Sequence, residues 1–283
     1  DGALIDEFYA QKRLAYSAGV KESGTLRPNQ YVILKDSANP THTAMGRYSK
    51  DLDCLVPLFK PAEGLWGIFP KNAEQAFAID ALMNDDIKLV SLVGKAGTGK
   101  TLLAIAAGLA KTVDEGVFQR LLVSRPVFPL GKDIGFLPGD IEEKLNPWMQ
   151  PIYDNIDFLF GATAGRAKRG AGKGCQELIN QGLLQIEPLT YIRGRSIPQQ
   201  YLIVDESQNL TPHEIKTIIT RAGDDTKIVL TGDSFQIDNP YVDAASNGLV
   251  HLVDRFKDES IAAHISLTKG ERSKLSELAS NLL

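Results

Sequence analysis

Three short stretches carry residue types that act on phosphates. Residues 94–101 read Gly-Lys-Ala-Gly-Thr-Gly-Lys-Thr and fit G-x-x-x-x-G-K-[ST]. Glycines in that pattern permit a tight loop whose backbone N–H groups turn onto phosphate oxygens. Lys100 is a cation placed for β and γ phosphates, and the Thr101 hydroxyl suits Mg²⁺. The helix that starts there adds its positive dipole end. The expected nucleotide cradle is Gly94, Lys95, Ala96, Gly97, Thr98, Gly99, Lys100, Thr101 and Leu102, with ATP and Mg²⁺ as ligands. Residues 201–206 read YLIVDE, an apolar run ending in two acids. Adjacent carboxylates at a buried strand tip are costly unless something there uses them. In a phosphate-loop enzyme the first, Asp205, holds Mg²⁺ through water, and the second, Glu206, polarises the attacking water. Residues 230–236, LTGDSFQ, follow another apolar strand. Gln236 is placed to order the attacking water or sense the γ phosphate. Asp233 is placed to reach Mg²⁺ through water or to pair with a cation. The bland alternatives are a Gly-rich turn, a solvated strand end and a polar turn.

These residues need a frame that brings strand tips together. From about Pro61 the pattern alternates strand and helix. Strands are expected at Ile87–Val93, Arg120–Ser124, Leu183–Pro188, Tyr201–Asp205, Lys227–Thr231 and Ile261–Leu267. Helices are expected at Thr101–Thr112, Gly139–Leu159, His213–Arg221, Asp243–Phe256 and Glu271–Leu283. Such alternation implies an α/β fold, a mostly parallel sheet with helices on both faces. Ligands then bind at the carboxyl ends of the strands. Residues 1–60 differ. A helix over Asp6–Gly19, extended pieces at Gln30–Lys35 and Asp53–Phe59, and turns at SANPTHT and RYSK suggest a small β-rich module of unreadable function. The expected division is 1–60 and 61–283.

Composition narrows the classes. Of 283 residues, 43% are hydrophobic and 23% charged, which excludes a wholly disordered or fibrous chain. Lysine plus arginine number 31 against 35 acids, a net charge of −4, so a globally basic nucleic-acid binder is excluded but a local basic patch is not. Cys54 and Cys175 lie far apart, and four histidines are scattered, so no disulfide scaffold or zinc cluster is implied. Thr101–Ala110 is about half the roughly 20 apolar residues that a bilayer span needs. No secretory signal is visible, and a cytoplasmic location is expected. The chain opens on Asp1 rather than Met, which suggests that a preceding part is absent.

The three motifs, followed by LTKGERS at 267–273, come in the order of the superfamily 1 helicases. Longer strings, SRPVFPLGKDIGFLPGD (124–140), NPWMQPIYDN (146–155), YIRGRSIPQQYLIVDE (191–206) and TGDSFQIDNPYVD (231–243), resemble the PhoH-like ATPases, more specifically the ATPase half of bacterial PIN–PhoH fusion proteins. The resemblance covers residues 61–283 strongly and 1–60 weakly. It implies a RecA-like P-loop NTPase core, frequently a hexameric ring. It also implies a partnership with an N-terminal PIN ribonuclease domain for which this chain has no room, with residues 1–60 like the connector that follows one. Asn72 and Gln75 resemble the helicase Q-motif, whose glutamine reads the adenine edge; the alternative is a helix capped by Asn72 with Gln75 exposed. Arg272 resembles an arginine finger, in cis or in trans, with Arg221 as its rival.

Between Asp157 and Glu177 there is no acid, and Arg166, Lys168, Arg169 and Lys173 lie among glycines and alanines. With Arg193, Arg195 and Tyr191 they form a candidate single-strand track, RNA by family resemblance or DNA. A flexible solvated loop is the plain alternative. Two functions compete: an ATP-driven motor on RNA or single-stranded nucleic acid, and an ATP-driven assembly or regulatory switch. A small-molecule kinase fits less well, because Glu206 stands where a hydrolase needs its base.

Overall fold

The computed structural model describes residues 2–15, 25–127, 141–163, 174–192 and 194–270. The expected closing helix, Arg272, Arg193 and the basic window Arg166–Lys173 lie outside them. Six strands, β5 (Leu89–Gly94), β6 (Arg120–Arg125), β7 (Leu184–Pro188), β8 (Gln200–Val204), β9 (Lys227–Gly232) and β10 (Ala262–Leu267), form one sheet in the order β10-β5-β9-β8-β6-β7. Every pairing in it is parallel.

The strands are buried on both faces, so they read as continuous apolar runs. Along β8, Tyr201 and Ile203 join a core with α2 (Ala73–Met83), α3 (Lys100–Leu109) and α4 (Ile141–Thr163). Leu202 and Val204 face the other way, onto α6 (Pro212–Ile219) and α7 (Gly248–Phe256). In α4, Met149, Ile152, Ile156 and Leu159 are buried at helical spacing and seal the first face. The α/β architecture expected from the sequence is present.

Element bounds differ in instructive places. The first helix, α1, runs Gly2–Gln11, and Lys12 turns at φ 56° into β1 (Leu14–Ala15). With β2 (Tyr31–Lys35), β3 (Thr43–Ser49) and β4 (Cys54–Pro57) it forms an antiparallel sheet in the order β1-β4-β3-β2. Arg47–Ser49 of the predicted RYSK turn lie in β3, where Ala44, Gly46 and Tyr48 alternate inward between the less buried Thr43, Met45, Arg47 and Ser49. The helix expected from Asp243 begins at Gly248. The Asp243 carboxylate accepts from Ala245 N and Ser246 N, both at 2.8 Å, and holds a turn that Asn247 ends by capping α7. The expected strand–helix tally omitted α2 and the short α5 (Cys175–Asn180).

The two sheets share a polar joint. The Asp80 carboxylate on α2 accepts from Arg47 Nε at 3.0 Å, Tyr31 OH at 2.9 Å and Phe59 N at 2.7 Å. Asn29 Nδ2 donates to Ser260 O and Ala262 O at the start of β10. Tyr31 stacks on Phe77 at 4.9 Å. Among the described residues no helix is long and apolar enough to cross a membrane.

Candidate active site

Strand order positions the chemistry. β9 lies between the phosphate-loop strand β5 and the carboxylate strand β8. Leu92 pairs with Thr231, and Val204 pairs with Leu230, so the three tips end level. Ala96, Gly97, Gly99, Lys100, Thr101, Leu102, Asp205, Glu206, Asp233 and Gln236, all expected from sequence, line one cleft of about 230 Å³. Asn155 on α4 and Gly232 complete its wall.

The loop is braced from several sides. Gly99 has φ +90° as it enters α3, a conformation that favours glycine. Gly94 answers to a different demand, since a Cβ there would sit 2.1 Å from Leu267 O of β10. Lys100 Nζ lies along the loop, donating to Gly94 O at 2.6 Å and Lys95 O at 2.9 Å. Thr98 is buried, its Oγ1 donating to Lys95 O. Asp233 accepts from Ala96 N at 3.0 Å, so it holds loop backbone.

Asp205 Oδ1 accepts from Thr101 Oγ1 at 2.8 Å and from Thr231 Oγ1 at 2.5 Å. A hydroxyl and a carboxylate thus meet at the helix start, the oxygen donor types that Mg²⁺ takes beside phosphates. Glu206 follows in a left-handed backbone conformation, φ 52° and ψ 37°. Its Oε1 accepts from Arg125 Nη2 at 3.2 Å and its Oε2 from Gln208 Nε2 at 2.6 Å. Burial raises the Glu206 pKa, and Asp205 raises it further; the Gln208 hydrogen bond and the Arg125 and Lys100 charges oppose them. Gln208 is fully buried, accepting from Asp233 N at 3.0 Å and donating to Gln236 O at 2.8 Å.

Other expected residues are placed differently. Asn72 caps α2, accepting from Gln75 N at 2.9 Å. Gln75 is buried rather than exposed, and both ends of its amide are engaged: Nε2 donates to Thr98 O at 3.1 Å, and Oε1 accepts from Lys71 N at 2.9 Å. Here it braces the phosphate loop rather than presenting its amide to a base. Arg221 follows α6 on the amino side of the sheet, its carbonyl accepting from Ile197 N ahead of β8. The 6 residues of β9 span about 20 Å, which puts Arg221 beyond reach of this cleft in cis. Arg195 is committed to the buried Glu187, at 2.9 Å and 3.2 Å. Tyr191 is exposed.

Sequence reasoning missed Arg125, Gln208 and Asn155. Gln208 stands two residues after the carboxylate pair, where nearness to the motif could have flagged it, and Arg125 ends the strand beside β8, which strand order reveals.

The parallel sheet, the loop between β5 and α3 and the paired acids on β8 define a P-loop nucleotide-binding protein. The PhoH-like protein family profile matches residues 67–281, and the chain belongs to that family. Protein PhoH2 of Bacillus subtilis (strain 168) is 49% identical over 280 residues, covering 99% of this chain and 62% of that protein. Protein PhoH2 of Thermobispora bispora is 36% identical over 242 residues, covering 85% of this chain and 52% of that protein. The chain spans less than two thirds of the length of either relative. The crystal structure of Pif1 helicase from Candida albicans aligns with 76% of this chain and 43% of its own, at 16% identity and a TM-score of 0.38.

Proposed function

We propose that the chain hydrolyses ATP in an Mg²⁺-dependent reaction and couples that hydrolysis to binding or moving RNA or another single-stranded nucleic acid. The observation that carries the hydrolysis is the cleft itself, where Lys100, Thr101, Asp205, Glu206 and Gln236 converge from three strand tips. Loop amides and the Lys100 ammonium bind the phosphate tail. Glu206, oriented on both oxygens, polarises a water toward the terminal phosphate. Gln236 borders the same space and orders that water. Thr101 and Asp205 are the residues that would hold Mg²⁺, which neutralises phosphate charge when bound. Arg272 as the finger, a hexameric ring and service to a PIN ribonuclease domain follow from the family resemblance.

The nucleic-acid half rests on the basic run Arg166–Lys173 and on Arg193. The pairing of Arg195 with Glu187 removes one candidate contact and favours a second reading, an ATP-driven assembly or regulatory switch. Steady-state ATP hydrolysis, with and without single-stranded RNA or DNA at two salt concentrations, separates them. Stimulation by RNA that fades with salt supports the motor. Turnover indifferent to both strands supports the switch. No turnover in either case overturns hydrolysis.

A further inference from the structure

Glu206 is held from two directions, and one of them comes from outside its own strand tip. Gln208, two residues on, fixes Oε2. Arg125, the last residue of β6, reaches Oε1. The approach is built by the sheet: Ser124 pairs with Val204, and Asp205 N donates to Ser124 O at 2.8 Å, so Arg125 emerges level with Glu206. Pro126 follows directly and restricts the Arg125 backbone to extended conformations, which aims the side chain. The two side chains are 21% and 31% exposed, so the pair is partly buried and restrains the carboxylate in one pose. Its effect lies in orientation.

Resting on the hydrolysis reading above, we infer that Arg125 is a positioning residue for ATP hydrolysis, acting through the Glu206 carboxylate. Without it one carboxylate oxygen loses its restraint, and the side chain departs from the pose that faces the cleft. Arg125 does not line the cleft, so ATP binding is independent of it.

The test is steady-state hydrolysis beside equilibrium ATP binding on the same protein. Arg125→Ala lowers kcat about 10- to 100-fold, the range that misplacement of a catalytic group costs, while KM and ATP affinity change less than about threefold. Arg125→Lys recovers part of the loss. In a Glu206→Gln background Arg125→Ala adds no further loss, because both act through one carboxylate. Undiminished kcat in Arg125→Ala overturns the inference; so does a rise, which would make the contact a brake, and so does a further loss in the Glu206→Gln background. Should Arg125→Ala melt early, Arg125→Gln and Arg125→Lys carry the same comparison. A wild-type protein that binds ATP without hydrolysing it overturns the hydrolysis reading, and this inference with it; wild-type turnover matched by Arg125→Ala overturns this inference alone.

Discussion

The two ends of the parallel sheet use charge in opposite ways. At the carboxyl end Lys100, Asp205, Glu206 and Asp233 border open volume. At the amino end Lys227, the first residue of β9, is wholly buried. Its Nζ donates to Ala81 O at 2.8 Å and Asn84 O at 2.7 Å, closing the carbonyl end of α2. Burial pulls its pKa down to about 7. A neutral amine has two hydrogens, enough for both carbonyls. One strand thus begins on a lysine buried among carbonyls and ends beside the lysine of the phosphate-loop motif. A charged side chain becomes chemical equipment where the fold leaves it a side facing solvent-sized space.

Exchanging the fates of the two lysines tests that contrast most severely. Lys100→Ala is expected to cut ATP turnover by at least about 10²-fold, the scale for removing a charge-stabilising donor. Its melting temperature stays near wild type, because Lys100 donates to carbonyls at the mouth of its own loop. Turnover and thermal melts on one preparation check both halves. A Lys100→Ala protein that hydrolyses normally breaks the comparison at the carboxyl end.

Glu206→Gln comes next. ATP binding survives and hydrolysis drops about 10²-fold or more, in the upper part of the range for general-base catalysis. The pH profile sharpens the point. Burial, then Asp205, raise the Glu206 pKa, so the ionised base is lost at a higher pH than the usual glutamate value of about 4.3. The acid limb of kcat therefore lies above the ordinary carboxylate range, and Glu206→Gln flattens it. A profile level down to pH 4 would place the base elsewhere.

How far the sequence carries differs between the two ends. The motif residues of the carboxyl end were legible because each sits in a short contiguous run of characteristic spacing, whereas Asn155 reaches the same cleft from α4 with no motif around it. The amino end was not. Lys227 reads as the polar start of a strand, and only the arrival of α2 overhead turns it into a buried donor. Asp80 and Asn29 likewise acquire their roles from the docking of two sheets. Arg125 and Gln208 fall between these cases. The place of Arg125 follows from strand order, which local pattern does not state, that of Gln208 from nearness to the motif, and the partner of both is a motif residue. The β3 strand was hidden by polar residues on its open face, and the start of α7 by a turn that an aspartate stabilises locally.

Lys227→Met keeps most of the buried volume and removes the donor. Leaving two helix-end carbonyls without it costs about 1–3 kcal/mol. The larger signature is pH dependence. The folded lysine titrates near 7 and the unfolded one near 10.5. Between those values the unfolded chain holds a proton that the folded chain lacks, so wild-type stability rises with pH, by up to about 1.4 kcal/mol per unit. Lys227→Met loses that slope, and denaturant titrations at pH 7, 8.5 and 10 measure it. Equal slopes in both proteins would show that Lys227 is charged in the fold. The two ends would then differ in exposure alone.

The smallest effect concerns Gln75, which touches the loop without entering the cleft. Gln75→Ala removes a hydrogen bond to Thr98 O and another from Lys71 N. One such bond is worth about 0.5–1.5 kcal/mol, so a loosened phosphate loop predicts roughly a 3- to 10-fold loss of nucleotide affinity. The discriminating quantity is its selectivity. A strut beneath the phosphate loop weakens ATP and GTP by the same factor, because both present the same triphosphate. An amide that reads the adenine edge weakens ATP and spares GTP. Affinities of wild type and Gln75→Ala for both nucleotides decide it, and equal losses are expected. Both ends of the amide already bond to the chain, and a Cβ at Gly99 would meet Gln75 Nε2 at 3.3 Å. The glutamine and the loop glycine are therefore fitted to each other, which is the relation expected of a support.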